Sequence, residues 1–123
     1  MKRRPGVRSR TLCFALAPLL IALSACHSYH IDTTIENRTG APIELLEVDY
    51  PSASFGVDSL ADGADFRYRF QVRGSGPLTL QYTSGGHPIQ NTGPTLYERQ
   101  QGQLEIVLLP AGKAQFRPQV TGP

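Results

Sequence analysis

The stretch Asp65-Phe66-Arg67-Tyr68-Arg69-Phe70-Gln71-Val72-Arg73 decides the fold class. Phe66, Tyr68, Phe70 and Val72 stand at every second position with polar residues between them, the period of an extended strand with one covered face. The strand runs into Gly74-Ser75-Gly76-Pro77 and then into Leu78-Thr79-Leu80-Gln81-Tyr82-Thr83, which alternates again. Two alternating runs around a Gly-rich turn predict an antiparallel hairpin.

Upstream, His30 to Glu36 alternates and stops at Asn37-Arg38-Thr39-Gly40, a turn whose Asn and Gly tolerate positive φ. In Ile43-Glu44-Leu45-Leu46-Glu47-Val48-Asp49-Tyr50 the apolar phase slips by one between Leu45 and Leu46. A period-two lattice absorbs such a slip only with an inserted residue, so a β-bulge is predicted near Leu45. Downstream, Gln103 to Leu109 is a strong strand with Leu104, Ile106 and Leu108 inward, while Ala114 to Val120 is interrupted by Pro118 and belongs at an edge. The 98 residues from 26 to 123 hold 11 Gly and 8 Pro, and no stretch between them supports a capped helical pattern. The expectation is a single small antiparallel immunoglobulin-like β-sandwich of six or seven strands over residues 31–123, with a small barrel as the competing arrangement.

The first ten residues, MKRRPGVRSR, carry five basic residues and no acid, and Leu12 to Leu23 is uncharged. That is the n-region and h-region of an export signal; the run is too short, and too interrupted by Pro18, to span a bilayer core that needs roughly 20 residues. It closes on Leu23-Ser24-Ala25-Cys26, which resembles the lipobox of bacterial lipoproteins. The resemblance covers residues 1–26. It implies cleavage between Ala25 and Cys26, removal of residues 1–25, a diacylglyceryl thioether and palmitate-type acyl chains on Cys26, and a membrane partner held through that lipid. His27, where an Asp would favour retention in the inner membrane, implies by the same resemblance an outer-membrane anchor facing the periplasm. Cleavage near Ala25 as an ordinary secretory signal is the competing reading.

Loss of the leader reverses the electrostatics. Five of the 12 basic residues lie in it and all 10 acids lie after it, so the remainder carries a net charge of −3 and has no support for nucleic-acid binding. Cys13 leaves with the leader and Cys26 is acylated, so neither a disulfide nor thiol chemistry is expected. Residues 26–30 form a short lipidated tether reaching less than roughly 20 Å, which holds the domain close to the bilayer.

Candidate sites are few. Cys26, His27 and His30 have metal-ligating side chains at close spacing and define an alternative function, a secreted metal-binding protein; a thioether at Cys26 would remove its thiolate, and no cofactor is expected. Arg67, Arg69 and Arg73 could contact an anion, or pair with Glu44, Glu47 or Asp49 across the sheet. Two turn-rich segments could be binding loops, 84–94 with His87, Gln90 and Asn91, and 50–56 with Tyr50 and Phe55, although edge-of-core packing is the simpler role for the aromatics. Asp58, Asp62 and Asp65 lack the alternate spacing of a calcium loop and read as turn-capping residues. With no catalytic constellation legible, the expected role is a non-enzymatic binding or structural accessory module acting on an envelope protein partner.

Overall fold

The structure, a computed structural model, describes residues 28–122. Eight strands follow in chain order: β1 (Ile31–Asn37), β2 (Ile43–Tyr50), β3 (Ala53–Leu60), β4 (Asp65–Phe70), β5 (Gly76–Ser84), β6 (His87–Leu96), β7 (Gln101–Leu109) and β8 (Lys113–Thr121). They form two four-stranded sheets, ordered β4-β1-β7-β8 and β3-β2-β5-β6. Every pairing is antiparallel except β1 with β7, which is parallel. The domain is a small all-β sandwich, immunoglobulin-like in its two-sheet architecture and with eight strands where six or seven were expected.

Alternation places the core as the sequence suggests. Ile31 and Ile35 of β1, Leu78, Leu80 and Tyr82 of β5, and Leu104, Ile106 and Leu108 of β7 are buried between the sheets. Each fully buried aliphatic side chain contributes ~1.5–3 kcal/mol, so a domain of this size closes its core without a disulfide. Thr33 shares the inward face of β1 and satisfies its hydroxyl by donating to the Leu104 carbonyl at 2.9 Å.

The expected hairpin between residues 65–73 and 78–83 does not form. β4 pairs with β1 in the first sheet, Ile31 opposite Phe70, whereas β5 pairs with β2 and β6 in the second. Residues 71–75 cross from one sheet to the other, with Val72 buried at the crossing. Both sheets offer an apolar inner face, so alternation fixes which side of a strand is covered and leaves its neighbour open. β3 and β6 are the strands missing from the sequence reading. They are edge strands of the second sheet and need only a few inward apolar residues, Phe55, Val57 and Leu60 in one and Ile89 and Leu96 in the other.

The bulge lies where the phase slip put it. Between Glu44 opposite Thr83 and Glu47 opposite Gln81, β2 advances three residues while β5 advances two, and Leu45 stands at φ +53°. Gly56 faces this irregularity across β3, where a Cβ would run into the Leu46 carbonyl oxygen. β8, carrying Pro118, occupies an edge as expected. Its Phe116 closes one seam of the sandwich against Gly93 of β6, whose missing Cβ would come within 2.8 Å of the ring. Rings from Tyr50, Phe55, Phe66, Tyr68 and Phe70 close the opposite seam; Tyr68, 42% exposed on its edge strand, stacks on Phe55 with centroids 4.3 Å apart.

Asn37 ties one end of the sandwich together from a fully buried position. Its Nδ2 donates to the carbonyls of Ala41 (2.9 Å), Leu60 (3.0 Å) and Ala61 (3.2 Å), and its Oδ1 accepts from the Thr39 backbone N–H (3.0 Å) and hydroxyl (2.7 Å). The expectation of a positive-φ turn residue here is corrected. Asn37 closes β1 in extended backbone and works through its side chain, while Gly40 alone in this turn takes positive φ.

Candidate functional site

The outer faces of the two sheets differ in charge. The strands of the first sheet carry Asp32, Glu36, Asp65 and Glu105 against Arg67, Arg69, Lys113 and Arg117. Two of these arginines are paired across neighbouring strands, Arg69 to Asp32 at 2.7 Å and Arg117 to Glu105 at 2.9 Å, and Glu36 takes Arg38 from the adjoining loop at 2.6 Å. The hydrogen bond from Arg69 holds the Asp32 carboxyl below the usual carboxylate range, helped by the nearby positive charge and opposed by partial desolvation. The strands of the second sheet carry Glu44, Glu47, Asp49 and Asp58 and no Lys or Arg.

This division corrects the expected partners of the arginines. Glu44, Glu47 and Asp49 belong to the other sheet, so Arg67 and Arg69 face Thr34 and Asp32 of β1 instead. Arg67 and Arg69 do share one groove, with Tyr68 and Gln103, on the first sheet. Arg73 lies beyond the end of β4, its backbone N–H donating to the Ser52 hydroxyl at 3.3 Å, so the three arginines do not form one row.

On the second sheet the bulge creates a ridge. Leu45 is 65% exposed, and its positive φ costs a non-glycine residue ~1–2 kcal/mol. A groove of about 390 Å³ lies on one side of it, lined by Gln81, Thr83, Pro88, Ile89 and Gln90 among others. A second groove of about 470 Å³ lies on the other, lined by Glu47, Ser54, Gly56 and Asp58 among others. Glu47 accepts a hydrogen bond of 2.6 Å from Gln81, which ties the floor of both grooves together. The result is an apolar ridge with an acidic border, a form that suits a partner segment bearing basic and apolar side chains.

The segments expected as binding loops are ordered strand. Tyr50 ends β2, Pro51 and Ser52 make the turn, and Phe55 is buried in β3, so both rings serve the aromatic seam, as the simpler reading had it. His87 begins β6 directly after the Gly85-Gly86 turn. Asn91 is half-buried in the same strand, and of the three polar residues singled out there Gln90 alone lines the Leu45 groove.

At the end where β1 begins, His30 accepts the Gly102 N–H on its carbonyl at 3.0 Å and so joins the sheet. Its ring nitrogens face the Ser28 hydroxyl at 3.2 Å and the Gln71 amide at 3.3 Å. Cys26 and His27, the other members of the metal-ligand cluster, and the signal segment lie outside the described residues, among which no group of three metal-ligating side chains gathers. No helix among the described residues is long and apolar enough to cross a membrane.

Comparison with known proteins finds no matching family model, no matching curated protein and no matching solved structure. The candidate site therefore rests on the residues themselves. Leu45 was legible as the bulge, since two adjacent apolar residues broke the alternation. Its outward direction was not, because the slip leaves open which of Leu45 and Leu46 stays inside.

Proposed function

We propose that this chain is a lipid-anchored envelope lipoprotein, held to the membrane through Cys26, whose sandwich is a non-enzymatic binding module that presents the outer face of its second sheet to a protein partner. The exposed Leu45 carries the binding half of this reading. The bulge keeps both Ile43 and Leu46 inside, but it needs no apolar side chain at its outward position; a largely exposed leucine there, in left-handed backbone that Asn or Gly would adopt at less cost, is what a binding surface would use. The acidic border selects a basic partner surface, and the two grooves accept side chains on either side of the ridge. The Leu23-Ser24-Ala25-Cys26 sequence supports the anchoring half, and His27 supports an outer-membrane address.

The test installs a photo-crosslinking side chain at Gln81, between the grooves, in protein expressed in bacterial membranes. A discrete adduct is expected from the parent and its loss from a Leu45→Asn variant, in which Asn accepts the positive φ and removes only the apolar ridge. An adduct that survives the substitution refutes the binding face. Intact mass of the same material reads the anchor: lipid mass on Cys26, absent after Cys26→Ala, is expected, and a free thiol there refutes it.

A further inference from the structure

The charge of the domain is unevenly spread, and the end carrying the tether differs from the rest. The first sheet is balanced and the second carries four acids and no base. At the end farthest from the tether, Arg38 is held by Glu36, and Asp62 accepts the Gly40 N–H at 3.1 Å. The end where β1 begins instead gathers two arginines outside those pairs, with Glu98 beside them. Arg73, on the crossing between sheets, and Arg99, in the β6–β7 turn, line one pocket of about 270 Å³ together with Ser28, Tyr29 and Glu98. Neither guanidinium is in an ion pair among the described residues. Tyr97 in the same turn is 50% exposed and Tyr29 is 38% exposed, so two of the four exposed large hydrophobic residues of the described chain gather here.

We infer that this end is a lipid-contacting surface, in which Arg73 and Arg99 bind headgroup phosphate and Tyr97 rests at the interface. The inference rests on the anchoring of Cys26 and adds to it an orientation and a set of contacts. Tether length commits the occupant: the chain is fixed to the sheet at His30, and only three residues separate that point from Cys26, a reach of at most ~14 Å over four residue steps. The end with Arg73 and Arg99 is consequently the one the lipid brings to the bilayer, with both sheet faces standing to the side. Two arginines match phosphate, and a phenol offers an apolar ring with a polar tip, the pairing that suits the membrane–water boundary. Repulsion between an anionic bilayer and the second sheet favours the same posture.

The chain has no Trp, so Tyr97→Trp creates a unique fluorophore at this end and Gln90→Trp a control on the second sheet. Full-length protein recovered from membranes is reconstituted into phosphatidylcholine–phosphatidylglycerol vesicles containing brominated lipid. The Tyr97→Trp protein is expected to shift its emission to the blue and lose intensity to the bromine, while the Gln90→Trp protein keeps its own. Combining Tyr97→Trp with Arg73→Gln and Arg99→Gln, or raising the salt, should return emission toward the unbrominated level. Lipid mass on Cys26 with the Tyr97→Trp protein no more quenched than the Gln90→Trp protein, or quenching indifferent to both arginines and to salt, overturns this inference and leaves the anchor standing. Absence of lipid mass on Cys26 overturns the anchor and this inference with it.

Discussion

Replacing Asn37 tests whether one buried amide holds together the end of the sandwich where β1 finishes. The side chain is fully buried and joins three chain segments, the end of β1, the β1–β2 loop and the β3–β4 loop. Its two N–H hydrogens serve three carbonyls and its oxygen accepts twice, so Asn37→Ala removes about four effective hydrogen bonds at a net ~1 kcal/mol each. The expected loss is ~4 kcal/mol, a large part of the ~5–15 kcal/mol that stabilises a typical domain. Asn37→Asp keeps the shape and should cost more at neutral pH, because a carboxylate oxygen then faces carbonyl oxygens where an amide N–H donated. Such a carboxyl has its folded pKa raised above the unfolded value. Its penalty is complete above the folded pKa and fades as pH falls toward the unfolded one, where the protonated acid donates one bond. Urea unfolding of the parent and both variants at neutral pH and near pH 4, at unchanged m-value, reads both effects. A loss below about 1 kcal/mol for Asn37→Ala, or an Asp variant as stable as the Ala variant at neutral pH, would refute the reasoning.

The other predictions concern single contacts. Gly56→Ala forces a methyl into the Leu46 carbonyl and should destabilise by at least ~1–3 kcal/mol in the same urea assay. Leu45→Asn relieves left-handed strain at an exposed site and should raise stability by about 1 kcal/mol while removing the proposed partner adduct; a loss of stability would show that Leu45 packs for the fold. The Asp32 carboxyl should titrate by NMR below the ordinary range and return to it in Arg69→Gln. Its depressed folded pKa contributes stability that is present above the unfolded pKa and is lost as pH falls through the folded one, so the parent's advantage over Arg69→Gln should vanish in acid.

Much of the site was open to sequence reading only in pieces. The slip at Leu45-Leu46 announced the bulge, and the arginines of β4 announced an outward charged row. Their partners could not be read, because Asp32 and Glu47 are equally plausible until the sheets are known, and the structure gives Arg69 to the first and Gln81 to the second. Asn37 looked like a turn residue because Asn-x-x-Gly is common in turns; its actual work depends on carbonyls 23 and 24 positions away in the chain.

Alternation by itself determined that the chain makes strands and which side chains of β1, β5 and β7 face inward. Two adjacent leucines determined where a bulge must lie, and Pro118 that the last strand belongs at an edge. These are local properties, set by the two-residue repeat of an extended backbone and by the N–H that proline lacks. Tertiary structure alone decided that β4 leaves β5 for β1, that Leu45 turns outward, that the acids without bases share one sheet, and that Arg73 and Arg99 line one pocket beside the start of β1. Each of those is a choice between partners far apart in the chain. Interchangeable apolar faces carry no label for the strand they join, and only the packing of both sheets around one core selects among them.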